Sequence, residues 1–207
     1  MEAQVDALLE GVDRFFTGEG PVQKTLRSLA RRLADEGIDY AVIGGMALVL
    51  HGYARLTVDV DLLMTPEGLA RFDECLAGRG YAPAFSGARK HFRDVETGVK
   101  VEIITTGEYP GDGKPKPVSF PDPSLVSEDA GGIKVIHLEN LIELKLASGL
   151  SAEHRVKDIA DVQQLIETLD LPRSIDLNLD PSVRDEYVRL WEATRRVREE
   201  KTGPDQE

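Results

Sequence analysis

The 207-residue chain has one cysteine, one tryptophan and three methionines, and aromatic residues make up only 6% of it. A single thiol, Cys75, excludes an internal disulfide and any cysteine-built metal cluster, and its setting Phe72-Asp-Glu-Cys-Leu76 suits a semi-buried helix position. No stretch approaches the run of about 18 apolar residues that spans a bilayer. Met1 to Gly20 carries acids without the hydrophobic block of a signal peptide, so a cytoplasmic protein with no membrane attachment is expected. Positive charge is also in short supply. Lys and Arg number 25 against 37 Asp and Glu, a net charge of −12, which argues against a wide nucleic-acid footprint and favours a small substrate or a basic partner. The hydrophobic content of 41% is that of an ordinary globular protein, long enough for one sizeable core or a core with a helical appendage.

Hydrophobic periodicity divides the chain into elements. Leu26, Leu29, Ala30 and Leu33 recur at helical spacing between Val22 and Gly37. Asp39 to Ile43 reads as a short buried strand, and Gly44-Gly45 turns the chain into a helical segment at Met46 to His51. Val58 to Met64 is the next strand, and Pro66 opens a helix that runs to about Arg79. Lys90 to Val95 and Val99 to Thr105 form strands joined by a turn at Glu96-Thr-Gly98, and Ile133 to His137 adds another. Between them Gly107 to Ser124, rich in Gly and Pro, has the length of a functional loop or lid. Helices are expected at Leu138 to Leu150, His154 to Leu169 and Pro181 to Lys201. This order predicts an α+β protein, a small mixed sheet flanked by helices followed by a helical part. The implied organisation is an N-terminal extension (1–20), an α/β core (21–137), a C-terminal helical region packing on it (138–201) and a disordered tail (202–207).

The acids carry the chemistry. Asp59 and Asp61 sit two apart on the strand Val58-Asp-Val-Asp-Leu-Leu-Met64 and so share a face. Carboxylates about 6 Å apart repel by roughly 3 kcal/mol at an effective dielectric near 20, and a divalent cation removes that repulsion. Oxygen-only ligands suit magnesium or manganese, which finish their shells with water and substrate phosphate. The other reading, a solvated edge-strand face, fits poorly with so apolar a run. Glu102 in Val99-Lys-Val-Glu-Ile-Ile104 offers a third acid, as metal ligand or general base, or as an exposed acid on an amphipathic strand. Gly44-Gly45, at a strand-to-helix turn, lets the backbone approach a ligand closely and suits a phosphate, or else only makes a tight turn.

Taken together, Ile43-Gly44-Gly45, Asp59-Val60-Asp61 and Val101-Glu102-Ile103 resemble, in order and spacing, the signature of the nucleotidyltransferase superfamily with a polymerase-beta type of palm. The resemblance covers about Asp39 to Thr105. The string Gly44-Gly-Met-Ala-Leu48, His51-Gly52, Arg55-Leu-Thr57, Asp59-Val-Asp61 looks more narrowly like bacterial nucleotidyltransferase-like proteins related to abortive-infection (AbiEii-type) toxins. Those proteins also carry a Lys-containing helix followed by an Arg-X-Lys-Asp-X-X-Asp segment, which Lys145 and Arg155-Val-Lys-Asp-Ile-Ala-Asp161 match. Glu102 departs from the pattern, because many relatives have Asp there.

The resemblance implies a magnesium- or manganese-dependent transfer of a nucleoside monophosphate from a nucleoside triphosphate to a hydroxyl-type acceptor, with pyrophosphate released. Asp59, Asp61 and Glu102 would be the catalytic and metal-binding acids. Gly44, Gly45, Arg55, Thr57, Lys145, Lys157 and Asp158 would form the nucleotide and phosphate site. Among Leu141, Leu144 and Leu146 an unpaired Lys145 ammonium would be costly, so a triphosphate or a carboxylate is its expected partner. Lys157 and Asp161, four apart, are expected to share a helix face, and with Asp158 they read equally as a structural ion-pair network. The acceptor stays open among a small molecule, a transfer RNA end and a protein side chain. A toxin-like role would add a neutralising partner protein. The competing readings are a nucleotide-binding sensor or scaffold without transfer, and an interaction module that docks a partner through Tyr187, Leu190 and Trp191.

Overall fold

The computed structural model describes residues 18–202. Most of the expected N-terminal extension, and the expected tail beyond Thr202, lie outside that range. The chain divides into two compact units: one runs to Gly107 and resumes at Pro121–His137, and the other comprises Glu108–Phe120 and everything from Leu138. The sequence places Glu108–Phe120 in the core; in the structure it groups with the helices.

The first unit is built on a seven-stranded mixed sheet. Its elements are α1 (Pro21–Asp35), β1 (Tyr40–Ile43), α2 (Gly44–Leu50), β2 (Asp59–Met64), α3 (Pro66–Cys75), β3 (Tyr81–Pro83), β4 (His91–Asp94), β5 (Lys100–Thr105), β6 (Ser127–Asp129) and β7 (Lys134–Ile136). The strand order is β3-β4-β5-β2-β1-β7-β6, with β2 parallel to β5, β1 parallel to β7 and the other neighbours antiparallel. Two short edge strands, β3 and β6, carry no alternation in the sequence, because three residues are too few to show a period.

Alternation sorts the sheet into two faces. Val60, Leu62 and Met64 of β2 align with Val101, Ile103 and Thr105 of β5, and all are buried. α1 and α3 cover this face: Phe72 of α3 meets Phe92 of β4 at 4.8 Å between ring centroids, and Arg32 of α1 lies over the Tyr81 ring. Pro66 starts α3 under the Thr65 cap, whose hydroxyl accepts from the Gly68 amide, but the helix stops at Cys75, short of the expected Arg79. The reason lies in Gly78, whose amide bonds the Tyr81 carbonyl and turns the chain into β3.

The second unit is helical: α4 (Leu138–Ser151), a 3₁₀ turn (Glu153–Arg155), α5 (Val156–Thr168), a 3₁₀ segment (Arg173–Asn178) and α6 (Pro181–Thr202). α4 and α5 meet at Gly149, where a Cβ would stand 2.5 Å from Ile159 Cγ1. Glu108–Phe120 is pinned rather than loose. The Phe120 amide bonds the Glu108 carbonyl, Lys116 Nζ donates to the Pro110 carbonyl, and Gly111 fits against the Ser148 carbonyl of α4 at a φ of +76°. Tyr187 and Leu190 are buried; the Tyr187 hydroxyl donates to the Pro172 carbonyl and Trp191 Nε1 to the Leu171 carbonyl. These side chains hold α6 in place, so Tyr187 and Leu190, offered above as partner-docking residues, are spent on packing within the helical unit. Among the described residues no helix is long and apolar enough to cross a membrane.

Candidate active site

Opposite the face covered by α1 and α3, the sheet presents its charged residues in rows. Strand register sets His91, Glu102, Asp61 and Ile43 side by side across β4, β5, β2 and β1. One step along, Arg93, Lys100 and Asp59 form a second row. Neighbouring strands lie about 4.8 Å apart, so Asp61 and Glu102 are immediate neighbours, and Asp59 follows Asp61 at about 6.6 Å along its own strand. Asp59 and Asp61 are half-buried; Glu102 and Lys100 are exposed. β2 begins at Asp59, one residue later than the apolar pattern suggests, and Val58 is 72% exposed. The acids therefore stand at the open mouth of the strand, while Leu62, Leu63 and Met64 are fully buried.

The Gly-Gly pair closes one side of the mouth. Gly44 has a φ of +63°, and a Cβ there would collide with Asp61 Oδ2 and lie 2.8 Å from its Cγ. A Cβ at Gly45 would lie 2.6 Å from Thr57 Oγ1. α2 thus starts at the glycines themselves, not at Met46, and both glycines are required because the chain presses against the acid strand and the threonine before it. Thr57 is buried and its hydroxyl donates to Asp59 Oδ1 at 2.9 Å, which fixes the carboxylate that the sequence pairs with Asp61. Arg55 is half-buried in the same loop. His51 caps α2, its Nε2 2.7 Å from the Ile136 carbonyl.

Glu102 Oε2 lies 4.0 Å from His91 Nδ1, and the His91 ring packs on Phe85. His91 has no metal-ligand spacing in the sequence, and it and Arg93 reach the face of the acids through strand register: in His91-Phe-Arg-Asp94 exposed and buried positions alternate in step with β5. Among the described residues no group of three or more His, Cys, Asp or Glu side chains is gathered into a ready metal cage. The donor set fits a hard divalent cation in kind: oxygen ligands only, two carboxylates on one face and a third in register beside them, for an ion that takes few protein ligands.

Lys145, Lys157 and Asp158 lie in the helical unit. Lys145 is buried and donates to Asp158 Oδ1 at 2.9 Å and Asp161 Oδ2 at 2.8 Å, so carboxylates are the partners its apolar setting demanded. Ser148 Oγ donates to Asp158 Oδ2 at 2.7 Å. Burial pushes the Asp158 carboxyl up, but Lys145, Ser148 and Arg155 outweigh it and hold it below the usual carboxylate value. Lys157 is exposed while Asp161 is buried. Asp158 and Asp161, three apart on α5, both turn towards Lys145.

No protein-family profile matches the chain, and no curated protein sequence matches it. Solved structures show a partial likeness. A candidate nucleotidyltransferase from Thermotoga maritima, TM1012, is 22% identical over 69% of this chain and 91% of its own, with a TM-score of 0.46. JHP933 from Helicobacter pylori is 15% identical over 87% of this chain and 93% of its own, with a TM-score of 0.47. An antigenic nucleotidyltransferase-like protein from Paracoccidioides brasiliensis is 15% identical over 86% and 87%, with a TM-score of 0.45.

Proposed function

We propose that the chain is a nucleotidyltransferase that moves a nucleoside monophosphate from a nucleoside triphosphate to a hydroxyl acceptor. The observation that supports this most is the register of β2 with β5, which sets Glu102 beside Asp61, with Asp59 on the same face and Gly44 pressed against Asp61. Asp59 and Asp61, with Glu102 beside them, would hold magnesium or manganese, which when bound neutralises triphosphate charge and lowers the pKa of the acceptor hydroxyl. The chain's own groups do the rest. Thr57 fixes Asp59, and the bare glycines let the start of α2 lie directly against Asp61 and Thr57, which sets where the acids stand. Glu102, at the exposed side of the row, takes the acceptor proton as the acceptor oxygen bonds to the α-phosphorus. The bond from that phosphorus to its bridging oxygen breaks, and pyrophosphate leaves with the electron pair. Lys145 and Asp158 serve this reading as the internal strut of the helical unit.

The test is label transfer from each α-phosphate-labelled NTP, with magnesium or manganese, into small-molecule, RNA and protein fractions of a cell extract. Wild type should label one fraction, and Asp61→Ala should lose the label by several orders of magnitude while keeping its circular dichroism and melting temperature. Unchanged turnover in the folded variant would sink the mechanism. Nucleotide binding without any label would point to a sensor instead.

A further inference from the structure

The row that holds Asp61 and Glu102 continues outward to His91 and then to Phe85, in the turn just past the β3–β4 pairing. Phe85 is 61% exposed, and its ring lies 5.9 Å from that of His91 at 32°. A large aromatic held in water beside a second ring, one strand away from a carboxylate, forms an open stacking surface. The parallel row sets Lys100 and Arg93, both exposed, alongside it. Arg93 has one N–H on the Gly98 carbonyl, which keeps the guanidinium at the sheet end of the hairpin. On a chain with a net charge of −12, two cations flanking the acids are a local exception that selects for negative charge in whatever approaches there.

We infer that the acceptor is a small anionic molecule with a planar ring. The ring stacks on Phe85 and His91, the anionic group meets Lys100 and Arg93, and the hydroxyl reaches Glu102. This rests on the transferase reading, because it is Glu102 as proton acceptor that makes this flank the acceptor side. Phe85 is a specificity residue rather than part of the core, so its replacement leaves the fold intact.

Calorimetric titration of the full chain with the nucleoside 5′-monophosphates, the matching nucleosides, ribose 5-phosphate and a short single-stranded RNA tests it without requiring turnover. At least one monophosphate should bind more tightly than both its nucleoside and ribose 5-phosphate. Phe85→Ala should weaken it on the order of tenfold, Phe85→Trp should keep it, and Lys100→Ala should weaken the monophosphate but not the nucleoside. Asp61→Ala should leave this binding in place, which separates it from a triphosphate site. No monophosphate binding, binding indifferent to Phe85→Ala, or binding of the RNA alone would overturn the inference. If the binding pattern holds while no labelled product forms with any NTP, nucleotidyl transfer falls and with it the acceptor role, leaving only a ring-binding site.

Discussion

At the scale of single residues, two glycines with nearly equal φ separate strain from steric fit. Gly44 and Gly37 have φ of +63° and +64°, but a Cβ on Gly37 meets nothing within 4 Å, whereas one on Gly44 runs into the Asp61 carboxylate. Gly37→Ala should therefore cost only the left-handed backbone, about 1 kcal/mol. Gly44→Ala should cost more and also displace Asp61, so label transfer should collapse in Gly44→Ala and survive in Gly37→Ala; thermal melts beside the transfer assay check both. Lys145 is the opposite kind of residue, buried and doubly paired. Lys145→Met takes the shared ammonium away from Asp158 and Asp161 and should destabilise the helical unit by about 3–5 kcal/mol, read as a lowered urea midpoint. Adding Asp158→Asn and Asp161→Asn should recover part of the loss, since the penalty comes from stranded charge rather than lost attraction.

Elements transmit such local fits to the acids. The hairpin of β4 and β5, which carries Glu102, is tied to α1 through Asp94: its Oδ2 accepts from the Thr25 hydroxyl at 2.7 Å and its Oδ1 from the Glu96 amide at 2.9 Å. Asp94→Ala removes these bonds at a buried position, so about 1–3 kcal/mol should be lost. Hydrogen exchange should quicken at residues 95–99 before it does in β2. The same elements show what a sequence can reveal. β2 and β5 were legible because their acids interrupt apolar runs at a two-residue period, and α1 because its leucines keep the helical one. The register that makes Asp61 and Glu102 neighbours was not legible, since pairing across 41 residues depends on the intervening helix and hairpin. Nor was the reason for Gly44-Gly45: the sequence suggests room for a ligand, while the structure uses that room first for Asp61 and Thr57. Lys145 marked itself by its leucine neighbours, but which of Lys157, Asp158 and Asp161 faced it turned on a helix rotation that one short motif cannot fix.

On the scale of the whole molecule, acid should not act evenly on the two units. Asp158 is held below its ordinary value despite burial; Asp112, Asp170 and Asp180 are also lowered, first by side-chain hydrogen bonds from Lys116, Arg198 and Ser182. All four lie in the helical unit, whereas the lowered Asp122 lies in the sheet unit. A carboxyl with a depressed folded pKa contributes stability that is complete above its unfolded value, about 3.9, and is lost as the pH falls through the folded one. Glu143 has the opposite sign: burial raises it more than the Asp180 amide lowers it, so its charged form costs stability near neutrality and acid relieves that cost. One relieved group does not offset Asp158, whose protonation takes away one of the two carboxylates that hold the buried Lys145 ammonium. Between pH 7 and pH values below about 4, hydrogen exchange should therefore accelerate first in α4 and α5, while the β1–β2–β5 centre stays protected. With Asp158→Asn the pH dependence of α5 should flatten. Simultaneous loss of protection in both units, or an unchanged profile in the variant, would show that the Lys145 network does not set the acid limit of the fold.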